Sequence, residues 1–534
     1  MYNEPEKRTI RKEVITNAIK ILVDRRAEST ITNANNIRKI KNHIIKKSFH
    51  QEEKDTASKL TDSTINSWER YYTSLLGKKE VSNLKVAFLA GPNPENDIKE
   101  LIDNGILEEN IWAFESDKKL YNQAVSNLME KFPKAKIYKG KIESFACDMP
   151  IKFDIVYLDF CGPLMVKENK NKSIISLLRL IKEHVINSPG VLITNFALPS
   201  QEQDELGRDN LAKLATLYLY PKEFITNNIC ISEDGININQ MYDRVKNNLE
   251  FYYGEFISRF IMDLCGVIVP YSKIASNKGY FDMFFQMSKE DKKKALQSLE
   301  QYNDSEEELS NDDDYDCGGW LSSATELFPI PWTFSIIKDN SNINNLSDKD
   351  LTNIFSESFI EFAKSFLNQV VDGNNELINN IELIYYLIFA EKSKYYSKKL
   401  KKIYNLNYSK IAPQFCDVFT FQSIIGVLIG QITVPYHINV KETKRWTYKA
   451  KSTRMFTDMF VLDECRYIYD MMPTIDMISK SICDIDYQLC YRFALEGLNK
   501  NQFLYNNEFF FGNAVIGKNN EGFENAEFQQ RNCI

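Results

Sequence analysis

The chain has 534 residues, 43% of them hydrophobic, with a net charge of −7 and a sequence pI of about 5.5. That length holds roughly two to four domains, and that apolar fraction excludes a wholly disordered chain. The acidic balance excludes a uniformly basic nucleic-acid binder while leaving room for local basic patches.

Counts of single residue types narrow the chemistry further. The ten cysteines form no CxxC pair, so they read as reduced thiols rather than a disulfide frame or zinc site. Four histidines, His43, His50, His184 and His437, are a poor basis for a His metal cage or a Ser-His-Asp site, and we expect no metal. No apolar run approaches the roughly 18 residues needed to span a bilayer. The stretch "MYNEPEKRTIRKEV" lacks the apolar core of a signal peptide. The expectation is a cytoplasmic protein with no membrane partner.

Residues 1–78 are predicted to form a basic helical N-terminal region. Ile10, Val14, Ile15, Ile19 and Leu22 recur at helical spacing, and "DSTINSWERYYTSLLG" reads as a helix stopped by Gly77. Its cations, among them Lys7, Arg8, Arg11, Lys12, Arg25 and Arg26, line either a solvated helical face or a phosphate-contacting arm.

From residue 79 strands and helices alternate. "LKVAFLAG", "NIWAFES", "AKIYKG", "FDIVYLDF" and "PGVLITNF" read as strands. "ENDIKELIDNG", "DKKLYNQAVSNLMEKF" and "SIISLLRLIKEHVIN" read as the helices between them. Alternation at this spacing implies parallel pairing through right-handed crossovers. We place this domain at 79–288 and expect two closing strands, "GVIVPYSKIA" and "GYFDMFFQM", around an "SNKG" turn. An acidic linker follows at 289–318, then a mainly helical domain at 319–515 and a flexible tail at 516–534. The fold class is therefore α/β: a Rossmann-like, mostly parallel sheet domain flanked by a helical N-terminal region and a mainly helical C-terminal domain.

The chemistry sits where strands end. Gly91, Glu115, Lys141 and Asp159 fall at or just past the ends of consecutive predicted strands. In an open parallel sheet ligands bind beyond the carboxyl ends, at the switch point. A carboxylate is tolerated at such a partly hydrated edge and is costly inside the sheet.

This order of features resembles that of the class I S-adenosylmethionine-dependent methyltransferases, well over about residues 80–200 and loosely to 288. The resemblance implies that "LAGPNPEND" lies under the methionine part of the cofactor, with Gly91 as the matching glycine and Asn93 beside it. It implies that Glu115 grips the ribose hydroxyls, that Lys141 and Ile142 flank the adenine, and that Asp159 of "DFCGPL" stands near the transferred methyl. The family's leading acid is absent, and Asn93 and Glu95 replace two glycines. A nicotinamide-binding domain also carries an acid about 20 residues after its glycines, but the GxGxxG run is missing here. Cys161 is either a nucleophile of the kind used in pyrimidine carbon methylation or a small residue lining a tight turn.

A large substrate has a candidate surface at "KETKRWTYKAKSTR". Lys441, Lys444, Arg445, Lys449, Lys451 and Arg454 surround Trp446 and Tyr448, cations for phosphate interleaved with aromatics for base stacking. The sequence thus points to a methyltransferase acting on RNA or DNA. The alternative is a catalytically degenerate fold serving as a binding or scaffold subunit among protein partners in a larger assembly.

Overall fold

A computed structural model describes residues 5–48, 51–165, 173–200, 204–226, 238–302, 356–389, 391–406 and 421–481. It also describes residues 484, 487 and 491 and the segments 514–516, 523–525 and 528–534. The acidic block at 306–316 lies outside the described residues.

Five parallel strands, β1 (Val86–Leu89), β2 (Ile111–Glu115), β3 (Lys136–Lys139), β4 (Phe153–Asp159) and β5 (Ile186–Ala197), match the five expected from the sequence. Three more follow late in the chain: β6 (His437–Ile438), β7 (Lys444–Ala450) and β8 (Thr453–Asp463). Strands β9 (Ala514–Ile516) and β10 (Phe523–Asn525) pair only with each other, and β11 (Asn532–Cys533) joins the main sheet. The nine-stranded sheet is ordered β11-β7-β8-β5-β4-β1-β2-β3, with β6 beside β8. The order 3-2-1-4-5 is doubly wound, with its switch point between β1 and β4. Strand β8 runs antiparallel to both β5 and β7.

Both faces of the sheet are covered, which explains the near-continuously apolar strands. On one face Val86, Phe88, Ile155, Tyr157, Val191, Ile193, Met459 and Val461 pack against α1 (Pro5–Leu22), through its Ile10, Val14 and Ala18. Helices α2 (Asn36–Lys47), α3 (Gln51–Lys59) and α4 (Asp62–Leu76) leave this face for a separate helical cluster. Helices α5 (Glu95–Asp103) and α6 (Lys118–Lys131) return to it. The opposite face, with Val156, Leu158, Leu192 and Phe460, is covered by α7 (Ile142–Asp148), α8 (Ser173–Lys182), α9 (Glu205–Thr226), α10 (Ile238–Asn247) and α11 (Leu249–Asp263). Each fully buried Ile, Leu or Val here contributes about 1.5–3 kcal/mol.

The helical cluster sits beyond the amino ends of the parallel strands. It joins α2–α4 to α12 (Val269–Ser276), α13 (Lys278–Phe284), α14 (Lys289–Tyr302) and the helices Asn375–Phe389 and Phe421–Thr433. Gly77 closes α4 with φ 57°, as its place in the sequence indicated. Among the described residues, no helix is long and apolar enough to cross a membrane.

Three expectations are corrected. The two closing strands expected within 266–287 are helical: a π-helical turn at Leu264–Ile268 runs into α12, and α13 follows. Short apolar runs carry no period that separates a strand from a buried helix. Pro270 suits a first helical turn, and the Asn277 side chain caps α13 by accepting from Tyr280 N. The sheet is not confined to 79–288, because β6–β8 come from the stretch read as helical. Within the stretch expected as a flexible tail, β11 pairs in parallel with β7. Arg531 behind it bonds Asp458, Ser258 Oγ and Gly254 O.

Candidate functional site

Strand alternation puts Tyr157 and Asp159 on the same face as Ile193 and Asn195, under α1. Register then lines Asp159, Asn195 and Thr457 across β4, β5 and β8 at the carboxyl edge. The row is hydrogen-bonded along its length. Asn195 Nδ2 donates to Asp159 Oδ1 at 2.8 Å and to the Tyr448 hydroxyl at 3.1 Å. Thr457 Oγ1 donates to Asn195 Oδ1 at 2.8 Å.

Helix α1 lies over this row. Its buried stripe of Ile10, Val14 and Ala18 also contains two cations, Lys7 and Arg11, one turn apart. Lys7 Nζ stands 2.6 Å from Asp159 Oδ2, with side-chain exposures of 4% and 14%. Arg11 Nε reaches Asp97 Oδ1 of α5 at 2.6 Å. Trp446 Nε1 donates to Glu13 and Lys444 Nζ to Asn17, so α1 runs antiparallel to β7 from the carboxyl edge inward.

The electrostatics follow from this packing. Burial alone would raise the Asp159 carboxyl, but the Lys7 ammonium, together with hydrogen bonds from Lys7, Cys161 and Asn195, holds it below the ordinary carboxylate range. Burial opposes the charge on Lys7, and Asp159 more than restores it, raising the amine above its usual value. Asp97 moves the other way: burial lifts it, and Arg11 offsets only part of that rise. Cys161 takes a left-handed backbone at φ 54° and donates Sγ–H to Asp159 Oδ1 at 3.0 Å. Burial and the neighbouring carboxylate push its thiol up to about 12. A thiol so protonated at neutral pH is a poor nucleophile. In this state Cys161 serves as a turn residue and hydrogen-bond donor.

The residues expected at a cofactor site stand along the same edge. Gly91, just past β1, has φ 57°, a left-handed conformation that suits glycine. Among the described residues, no other residue of the 89–95 loop has positive φ, so Asn93 needs no special backbone. Glu115 ends β2, half-buried, with Oε1 accepting from Asp117 N at 2.8 Å. Gly140 N donates to Glu115 O at 2.9 Å, which holds the loop after β3 beside it. Lys141 is half exposed at the head of α7, while Ile142 is buried below it. Strands about 4.8 Å apart put the ends of β2 and β4, on either side of β1, about 10 Å from each other.

The basic stretch 441–454 divides in two. Arg445, Trp446 and Tyr448 are buried in the sheet. Arg445 is paired with Glu255 at 2.7 Å and donates to Gln529 O. Lys444 is half-buried. These side chains therefore offer no stacking platform, because the hairpin uses its aromatics as core. Lys441, Lys449 and Lys451 are exposed, and Arg454 is half-buried and paired with Glu250. Lys449 and Lys451 lie at the β7–β8 turn, on the edge that carries Asp159.

Sequence reasoning missed Asp97 and Asn195, read Glu95 only as the replacement of a glycine, and read Lys7 and Arg11 as a solvated face or phosphate-contacting arm, whereas both are buried and paired with carboxylates. The signal for Lys7 and Arg11 was present: Lys7 lies three and seven residues before Ile10 and Val14, in phase with the buried stripe. Glu95 Oε2, in the first turn of α5, is buried without a hydrogen-bond partner among the described residues. No family model, no curated protein and no solved structure matches this chain.

Proposed function

We propose that the carboxyl edge of the sheet is a nucleoside-cofactor site and that the protein is an S-adenosylmethionine-dependent methyltransferase. The observation that carries this reading is the alignment of Gly91, Glu115 and Asp159 at the ends of three adjacent strands astride the switch point. The residues present fit the cofactor. Glu115 is half-buried at the end of β2, where its carboxylate would accept from ribose hydroxyls, and Glu95 Oε2, without a hydrogen-bond partner among the described residues, would accept from the ammonium of an amino acid moiety. Lys141 and Ile142 would border the base. Bound there, the cofactor would supply an electrophilic methyl group.

This chain's own part is alignment and charge. Asp159, held ionised, accepts hydrogen bonds and does not donate them, so it would orient an acceptor N–H or O–H. Its low proton affinity makes it a positioning carboxylate and a weak base. Lys449 and Lys451, exposed on the same edge, support an anionic acceptor such as RNA or DNA.

A second reading has its own support. Lys7 holds Asp159 where an acceptor would bind, as expected of a fold that keeps the shape and serves as a binding subunit. Incubation with radiolabelled S-adenosylmethionine and separate pools of RNA, DNA, protein and metabolites tests the two. Label transferred to one pool, and lost in Asp159→Ala, supports the enzyme. Cofactor binding without transfer to any pool favours the binding subunit and overturns the enzyme.

A further inference from the structure

At the opposite edge of the sheet three titratable side chains from distant parts of the chain form a line. Lys273 Nζ, on α12, lies 2.6 Å from His184 Nε2. His184 Nδ1 lies 2.9 Å from Glu464 Oε1. The backbone builds each position: His184 sits in the turn between α8 and β5 with φ 52°, and Glu464, just past β8, is fixed by its amide N–H donating to Ser188 Oγ at 2.8 Å.

The bonding pattern assigns the protons. An ammonium only donates, so His184 Nε2 accepts from Lys273 and Nδ1–H donates to Glu464. The second contact of Lys273 is the Thr433 carbonyl at 3.2 Å. Among the described residues Lys273 makes no salt bridge, which separates it from an ordinary structural lysine. Nucleophile, base and orienting carboxylate within hydrogen-bond reach is the arrangement that activates a weak nucleophile.

The surroundings act in the same direction. Burial lowers the Lys273 amine to about 8, and Lys182 and Lys152 add to that against the opposing charges of Glu183 and Glu464. Glu464 is itself held below its usual range: burial would raise it, but His184 and Lys152 outweigh that. Lys152 Nζ is 3.1 Å from Glu464. The site is open on one side, since His184 is 24% exposed and Lys182 and Glu183 face solvent.

We propose that Lys273 is a reactive amine that takes an acyl group from acyl phosphates, with His184 as its base and Glu464 orienting the imidazole. The Nζ lone pair attacks the carbonyl carbon, the carbon–oxygen bond to phosphate breaks, and inorganic phosphate leaves. The proton shed by Nζ passes to His184 Nε2, and Glu464 stabilises the imidazolium. Lys152 and Lys182 favour a phosphate leaving group over a neutral one. The product is an amide at Lys273 that has lost its charge.

Acetyl phosphate is the probe, applied to the whole folded protein and read by peptide mass spectrometry. Lys273 is expected to acetylate about tenfold faster than the exposed Lys278 and Lys402, and His184→Gln is expected to remove that advantage. In the unmodified protein the labelling rate of Lys273 should rise with a midpoint near pH 8, well below the ordinary lysine value of 10.5. This profile decides the matter if His184→Gln does not fold. Labelling of Lys273 at or below the rate of the controls, or with their pH profile, overturns the proposal. So does a folded His184→Gln protein that keeps the advantage.

Discussion

The two edges of one sheet both bury carboxylates, and they use them differently. At the amino edge Asp463 is enclosed by its neighbours: Ile31 N, Ser188 Oγ, Cys465 N and the Tyr467 hydroxyl all donate to it. Asp154 accepts from Lys79, Lys85 N and Asn187. These groups knit the helical cluster and the strand starts together. At the carboxyl edge Asp159 is paired with Lys7, brought by a helix 152 positions earlier in the chain, and among the described residues Glu95 Oε2 has no hydrogen-bond partner. A buried carboxylate at a strand end is therefore not a site in itself; the contrast lies in its surroundings, since at the carboxyl edge that Glu95 oxygen is left without a partner among the described residues.

The largest expected effect tests the amino edge. Asp463→Ala strands four donors in a buried place and should cost about 3–5 kcal/mol in urea unfolding. A cost below 1 kcal/mol would show that the enclosure is not structural. Next is Lys7→Ala, which leaves Asp159 buried and unpaired. A loss of about 3 kcal/mol is expected, partly recovered in the double variant with Asp159→Ala. Equal, additive losses would mean that the two residues do not act as a pair.

The pH dependence sharpens the same contrast. His437, buried with Nε2 2.8 Å from the Tyr469 hydroxyl, is pushed down to about 3 by burial. The unfolded chain takes up a proton near the ordinary value of 6.5 and the folded one does not. Stability should therefore fall by about 1.4 kcal/mol per pH unit below that point and level off near the folded value. His437→Gln should flatten that slope. Asp159 has the depressed folded value of a paired carboxylate. Its contribution is complete above the unfolded carboxylate range and is lost as pH falls through the lower folded value; in Lys7→Ala burial is left to raise the carboxyl, so the loss of stability should be greatest above the carboxylate range and shrink as pH falls. The smallest effect on folding is Glu115→Ala, within about 0.5 kcal/mol by thermal unfolding. A large loss there would assign Glu115 to structure.

The parallel core was legible in the sequence because β1, β2 and β4 are apolar runs that stop abruptly at a glycine or an acid. The β7–β8 hairpin was not, because Arg445 and Lys444 look solvent-facing until Glu255, Gln529 and Asn17 are brought alongside by folding. The edge carrying Glu115 and Asp159 could be read from strand ends alone. Lys7 could not, although its phase placed it on the buried face, since pairing across 152 positions is a tertiary fact. The helices at 269–284 were hidden by apolar stretches too dense to show a period.

In the proposed cofactor site Glu115, at the carboxyl edge, would hold the ribose of a nucleoside sulfonium. Isothermal titration of the protein and of Glu115→Ala with S-adenosylmethionine tests it most directly. Binding in the micromolar range is expected, weakened about tenfold in the variant by loss of the ribose contact. No heat of binding at millimolar cofactor, or equal affinity in the two proteins, would contradict it.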